Sequence, residues 1–176
     1  MRTAPSQEGF SLIELLVTLA VAAILFAAAM PAMRTLVQNG RASTQANSLV
    51  LSLNYALSEA IKRDLPGGVT VCASANQLTC SGTSAWSEGW IVQSRVGDPP
   101  LQASLPLSGA NRLTEAGDLS AITFLPSGLV SSAAAFTLCD GRGGTYARAV
   151  ELSASGRIAT SPTRGRSLAG AALSCP

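Results

Sequence analysis

From Phe10 to Met30 the sequence reads FSLIELLVTLAVAAILFAAAM, and its single charge is Glu14. This is about the ~20 apolar residues that a membrane-crossing helix needs. Hydrocarbon charges several kcal/mol for an ionised carboxylate, so Glu14 demands a partner. The residues ahead of the run, Met1 to Gly9, are polar and include Arg2 and Pro5. A secretory signal is cut after its apolar stretch, whereas here the small residue Gly9 stands before it. The layout predicts a leader removed on the cytoplasmic side, with the apolar segment left attached. Pro31 is expected to kink the helix or loosen its last turn.

Beyond Pro31 the helical signal becomes one-sided. Leu49, Leu53, Leu57 and Ile61 recur every four residues beside Ala46, Val50, Ala56 and Ala60, with Gln45, Asn47, Ser52, Asn54 and Glu59 interleaved. Such a stripe covers a core, and the helix should stop before Asp64–Gly68, "DLPGG". The period then shortens. The runs at 69–72, 89–94, 121–126, 134–139, 147–153 and 156–161 are β-prone and separated by Gly, Ser, Asn and Asp turns, which predicts a compact antiparallel β domain. "FLPSG" and "DGRG" read as hairpin turns. The segment 108–118 reads as a loop, and the stretch after Ser161 as irregular.

The chemistry available to the chain is restricted. It has no histidine and one lysine, Lys62, and it has no G-x-S-x-G elbow, phosphate loop or metal-ligand cluster, so an enzyme, a bound cofactor and a metal are not expected. The four cysteines, Cys72, Cys80, Cys139 and Cys175, all follow the apolar run, and an even count there predicts two disulfides in an oxidising compartment. Zinc is the alternative, against which stand the lack of C-x-x-C spacing and of histidine. Of three possible connectivities, Cys72 with Cys80 and Cys139 with Cys175 is preferred. The first pair flanks a polar stretch able to fold back, and the second ties down the tail. Five arginines, Arg142, Arg148, Arg157, Arg164 and Arg166, face only Glu151 beyond Gly141. A basic face for an anionic partner is one consequence.

One long helix, apolar in its first half, followed by a disulfide-stapled β domain resembles the type IV pilins and their type II secretion relatives. The resemblance is carried by "GFSLIE", Gly9 to Glu14, and by the position of Pro31. It implies cleavage by prepilin peptidase between Gly9 and Phe10 and N-methylation of Phe10. It also implies that the Glu14 carboxylate pairs with the N-terminal amine of a neighbouring subunit in the filament core, where a buried charge is tolerable because it is paired. The segments Trp86–Gln93, Ile122–Gly128, Phe136–Gly143 and Val150–Ile158 are similar to the FimT/FimU-type minor pilins and GspH-type pseudopilins. The expected fold is α+β: a pilin helix whose first half is transmembrane, then a GspH/FimT-type antiparallel head with two disulfides. The expected divisions are a leader at 1–9, a transmembrane and filament-core helix at 10–31, an amphipathic half at 32–63 and a periplasmic head at 64–176.

Three functions fit that resemblance. One is a minor pilin of an initiation or tip complex, partnered by other minor pilins and the major pilin, held in the inner membrane before assembly and extracellular in the pilus afterwards. Another is DNA binding for natural transformation. Some FimT-type proteins that bind DNA carry a Gly-Arg-x-Arg pattern; here the aligned segment is Gly156, Arg157, Ile158, Ala159, with Arg164 and Arg166 following and Arg142 and Arg148 as possible additions. Such arginines would hold double-stranded DNA through its phosphates. The third is a pseudopilin of a type II secretion system.

Overall fold

The computed structural model describes residues 9–95 and 97–175. The chain divides into two compact units, Met1–Asn39 and Gly40–Pro176. One helix, α1 (Leu12–Arg63), contributes to both. It stays helical through Pro31, and the Thr35 hydroxyl donates to the Pro31 carbonyl. The helix stops where expected. Asp64, just past its end, adopts φ 49°, and its N–H still reaches the Ala60 carbonyl at 3.2 Å. Gly68 then needs both its freedoms: φ is 69°, and a Cβ there would collide with the Phe124 carbonyl.

Eight strands follow among the described residues. They are β1 (Val69–Ala73), β2 (Trp90–Gln93), β3 (Gln102–Ser104), β4 (Arg112–Glu115), β5 (Ala121–Phe124), β6 (Ala134–Cys139), β7 (Arg148–Leu152) and β8 (Ile158–Thr160). They form two antiparallel sheets, ordered β3-β2-β1-β5 and β4-β6-β7-β8. Two strands fall outside the β-prone runs: β4 lies in the stretch that reads as loop, and β3 lies between the second and third runs. In β4 the inward positions are Leu113 and Glu115, so the apolar alternation that marks a strand is broken by an inward glutamate. In β3 no position is fully buried, because a short edge strand has little core to cover. "FLPSG" does turn a hairpin, closed by the Leu125 N–H to the Leu129 carbonyl at 2.8 Å. "DGRG" is only the start of a longer connection that includes a 3-10 turn at Gly144–Tyr146.

The core of the Gly40–Pro176 unit gathers Leu49 and Leu53 from α1, Val69 and Val71 from β1, Trp90 and Val92 from β2, and Phe136, Leu138, Val150 and Leu152 from the second sheet. Fully burying an aliphatic side chain of this kind contributes about 1.5–3 kcal/mol. The buried face of α1 is Ala42, Ala46, Leu49, Leu53, Ala56 and Ala60, not a strict four-residue row. Each four-residue step overshoots a 3.6-residue turn by about 40°, so Leu57 is only partly buried and Ile61 is 54% exposed. Ser52, which reads as solvent-facing, is fully buried. It accepts the indole N–H of Trp90 at 2.9 Å and donates to the Ser48 carbonyl. Trp86 joins the two sheets, its ring edge-on to Phe136 at 5.0 Å and its N–H on the Leu119 carbonyl.

Candidate functional site

The helix start comes first. Gly9, Phe10 and Glu14 are all exposed, and the large apolar residues from Leu12 through Val37 are exposed on every side of α1. Water would not leave such a surface bare, so lipid or other helices must cover it. α1 is long and apolar enough to cross a membrane, by length and composition. Ser11 stands immediately before the helix, its carbonyl accepting the Leu15 N–H at 3.2 Å and its hydroxyl the Glu14 N–H at 3.3 Å. The predicted cleavage junction and the acid therefore sit on either side of a serine N-cap, in the sequence S-x-x-E of a capping box. The Ser11–Glu14 spacing is the sequence signal for this cap. The predicted leader falls almost wholly on residues 1–8, outside the described residues.

Two disulfides staple the head, Cys72–Cys80 with Cα atoms 5.5 Å apart and Cys139–Cys175 at 5.8 Å. Cys80 lies outside any strand. The turn before it is held by Asn76, whose side-chain oxygen accepts the N–H groups of Leu78 and Thr79. Among the described residues no cluster suits a metal ion.

The five arginines do not form one face. Arg142 is largely enclosed, paired with Asp140 through its Nε at 3.1 Å and through Nη2, with its guanidinium 4.2 Å from the centre of the Tyr146 ring. Burial raises the Asp140 carboxyl, but the hydrogen bonds and charge of Arg142, with the charge of Arg164, outweigh it and hold the group below the usual carboxylate range. The hydrogen bond to Asp140 likewise raises Arg142. Arg148 opens β7 and Arg164 lies in the tail. The Gly165 N–H donates to the Ala147 carbonyl at 2.8 Å, which makes the two arginines neighbours across that bond. Burial lowers Arg148 from its ordinary value, and the positive charge of Arg164 lowers it further. Arg157 is elsewhere. It follows β7 by way of the Ser153–Gly156 turn, roughly 16 Å from Arg148 at a strand's rise per residue. There it lines an open cavity of about 660 Å³ together with Glu115, Glu151 and Leu168. Arg166 donates to the Gly170 carbonyl within the tail. Asp140 and Tyr146, which organise this end of the sheet, were not singled out in the sequence.

A membrane-length helix with an acid in its first turn, running into a disulfide-stapled head of two antiparallel sheets, defines the pilin-like class. Residues 5–30 match the prokaryotic N-terminal methylation motif. Residues 45–156 match the family of the type II transport protein GspH, and the chain belongs to that family. Two crystal structures of the type IV minor pilin FimU from Pseudomonas aeruginosa strain PAO1 share its fold at 20% sequence identity. In one the TM-score is 0.55, with 68% of this chain and 92% of that chain covered; in the other it is 0.58, with 71% and 91%. No curated protein matches the chain significantly.

Proposed function

We propose that the chain is a minor subunit of a type IV pilus that acts in the initiation or tip complex and supports pilus assembly without a catalytic step. Prepilin peptidase cuts between Gly9 and Phe10, releasing residues 1–9, and the new amine of Phe10 is methylated. Residues 10–31 cross the inner membrane once and later enter the filament core. Residues 32–63 continue as the amphipathic half of the helix, and 64–176 form a head that is periplasmic before assembly and extracellular in the pilus, beside other minor pilins and the major pilin.

The observation that carries this reading is the first half of α1, apolar and exposed on all sides, with Glu14 in its first turn. Glu14 is costly alone in lipid and tolerable when paired with a neighbour's amine. The intact mass of the mature chain should lack Met1–Gly9 and carry one added methyl. Glu14→Ala should leave cleavage intact and deplete the subunit from sheared pili. An uncut chain, or normal incorporation of Glu14→Ala, overturns the reading. A deletion that leaves pili intact but blocks a type II secretion substrate would replace it with a pseudopilin.

A second reading, binding of double-stranded DNA during uptake, is favoured by Arg148 and Arg164. They are adjacent, they repel each other, and among the described residues no carboxylate lies within ion-pair distance of either. Phosphates would relieve that repulsion. Arg157 contributes less to such a surface, since Glu115 and Glu151 share its cavity.

A further inference from the structure

Trp86, Trp90, Phe124 and Phe136 are sealed in the core of the Gly40–Pro176 unit, and Tyr55 packs against it. Tyr146 differs. It is 39% exposed, and among the described residues it is the one aromatic ring that this unit shows to solvent. It closes the 3-10 turn Gly144–Tyr146, two residues ahead of Arg148. The tail returns to the same turn: Gly165 lies so close that a Cβ on it would collide with the Thr145 backbone, and its N–H donates to the Ala147 carbonyl. Arg164, the residue before Gly165, is thereby brought beside the turn. Its charge is felt both at Arg148 and at Asp140, the partner of Arg142. Ring and arginines share one patch.

The ring is also braced. The Arg142 guanidinium lies over it, 4.2 Å from its centre, and is itself fixed by the Asp140 carboxylate. A side chain already held in place has less freedom to lose when something covers it. With one face taken by Arg142, the surface left to solvent is the other face and the edge. A flat aromatic face beside unpaired arginines suits a single strand of nucleic acid, whose phosphates meet the positive charge while an unpaired base stacks on the ring. The interior bases of a duplex are stacked on one another, and extracting one is costly.

We propose that Tyr146 is a base-stacking residue and that its patch with Arg148 and Arg164 takes single-stranded nucleic acid, one base lying on the exposed face of the ring while the arginines hold neighbouring phosphates. The contact is tolerant of sequence, because every base has a flat face. This inference rests on the nucleic-acid reading given above for Arg148 and Arg164, and adds a contact that phosphates alone cannot supply.

The test titrates the full-length chain, in neutral detergent micelles, into three labelled probes followed by anisotropy across a salt series: an oligothymidylate, an abasic strand with the same number of phosphates, and the oligothymidylate paired with its complement. The parent should bind the oligothymidylate about tenfold more tightly than the abasic strand, the effect of one stacked base. Tyr146→Ala and Tyr146→Leu should erase that ratio and leave the abasic strand and the duplex bound as in the parent, whereas Tyr146→Phe should keep it. Leucine preserves apolar bulk over Arg142 without an aromatic face. Arg148→Ala/Arg164→Ala should weaken all three probes and flatten the salt dependence. Equal affinity of the parent for the oligothymidylate and the abasic strand, or a ratio that survives in Tyr146→Leu, would overturn the stacking role and leave the phosphate reading standing. An equal fall for all three probes in Tyr146→Ala and Tyr146→Leu would also overturn it, since the ring would then act only by supporting Arg142. No binding of any probe at low salt would overturn both.

Discussion

Opening the two disulfides one at a time should reveal unequal contributions, set by how much chain each one closes. Cys139 and Cys175 are 36 residues apart, Cys72 and Cys80 only 8. The cross-link acts mainly by restricting the unfolded chain, and on loop length alone the long bridge contributes about 4 kcal/mol and the short one about 2.5 kcal/mol. The long bridge has a further role, because it holds the tail whose Leu173 N–H donates to the Gly165 carbonyl at 2.8 Å. The short bridge closes a turn that Asn76 already braces. Soluble heads beginning at Gly40 with Cys139→Ser/Cys175→Ser or Cys72→Ser/Cys80→Ser would be compared by circular dichroism during heating and in urea. At roughly 3 °C per kcal/mol for a domain of this size, the midpoint should fall about 12 °C for the long bridge and about 7 °C for the short one. An equal or larger fall on removing Cys72–Cys80 would refute the loop-length argument and point to packing around Cys80, whose sulfur accepts the Gln93 side-chain amide.

Three further outcomes are expected. Glu115→Ala should destabilise the head by about 3 kcal/mol, because it strands the N–H groups of Gly117, Leu119 and Ala135, which now share that buried carboxylate; urea unfolding measures this. The Asp140 carboxyl is depressed in the fold, so its contribution is complete above the unfolded carboxylate value and is lost as pH falls through the folded one. Acid unfolding followed below about pH 4 should therefore be less steep in Asp140→Asn than in the parent head. Labelled duplex DNA titrated with the oxidised head should bind with an affinity that weakens as salt rises. Arg148→Ala/Arg164→Ala should abolish that binding and Arg157→Ala should leave most of it, whereas no binding at low salt would remove the DNA reading.

The helix, its stop and six of the eight strands were legible because each follows a repeating physical pattern: apolar continuity, a one-sided stripe, or alternation bounded by turn residues. The failures share a cause as well. β4 turns Glu115 inward and satisfies it with backbone donors, and Ser52 is buried because Trp90 offers it an N–H; neither partner is visible in a one-dimensional pattern. The same limit applies to the arginines. Their number predicts a basic face, but Asp140 and Tyr146 take up Arg142, and the length of β7 carries Arg157 away from Arg148. The helix start differs, since the S-x-x-E spacing of Ser11 and Glu14 is itself a one-dimensional pattern.

The chain has two tryptophans, and both are sealed in the interior with their indole nitrogens engaged. Trp86, in the 3-10 turn ahead of β2, lies against Phe136 of the second sheet, and Trp90 is tied to Ser52 of the helix. The head therefore carries both of its tryptophan fluorophores at its principal seams and no tryptophan on its surface, where the exposed Tyr146 is a weaker emitter that excitation selective for tryptophan leaves dark. An emission shift to longer wavelength would register parting of the layers, while events at the outer faces, such as a subunit docking or a polyanion arriving, would leave the spectrum nearly unchanged.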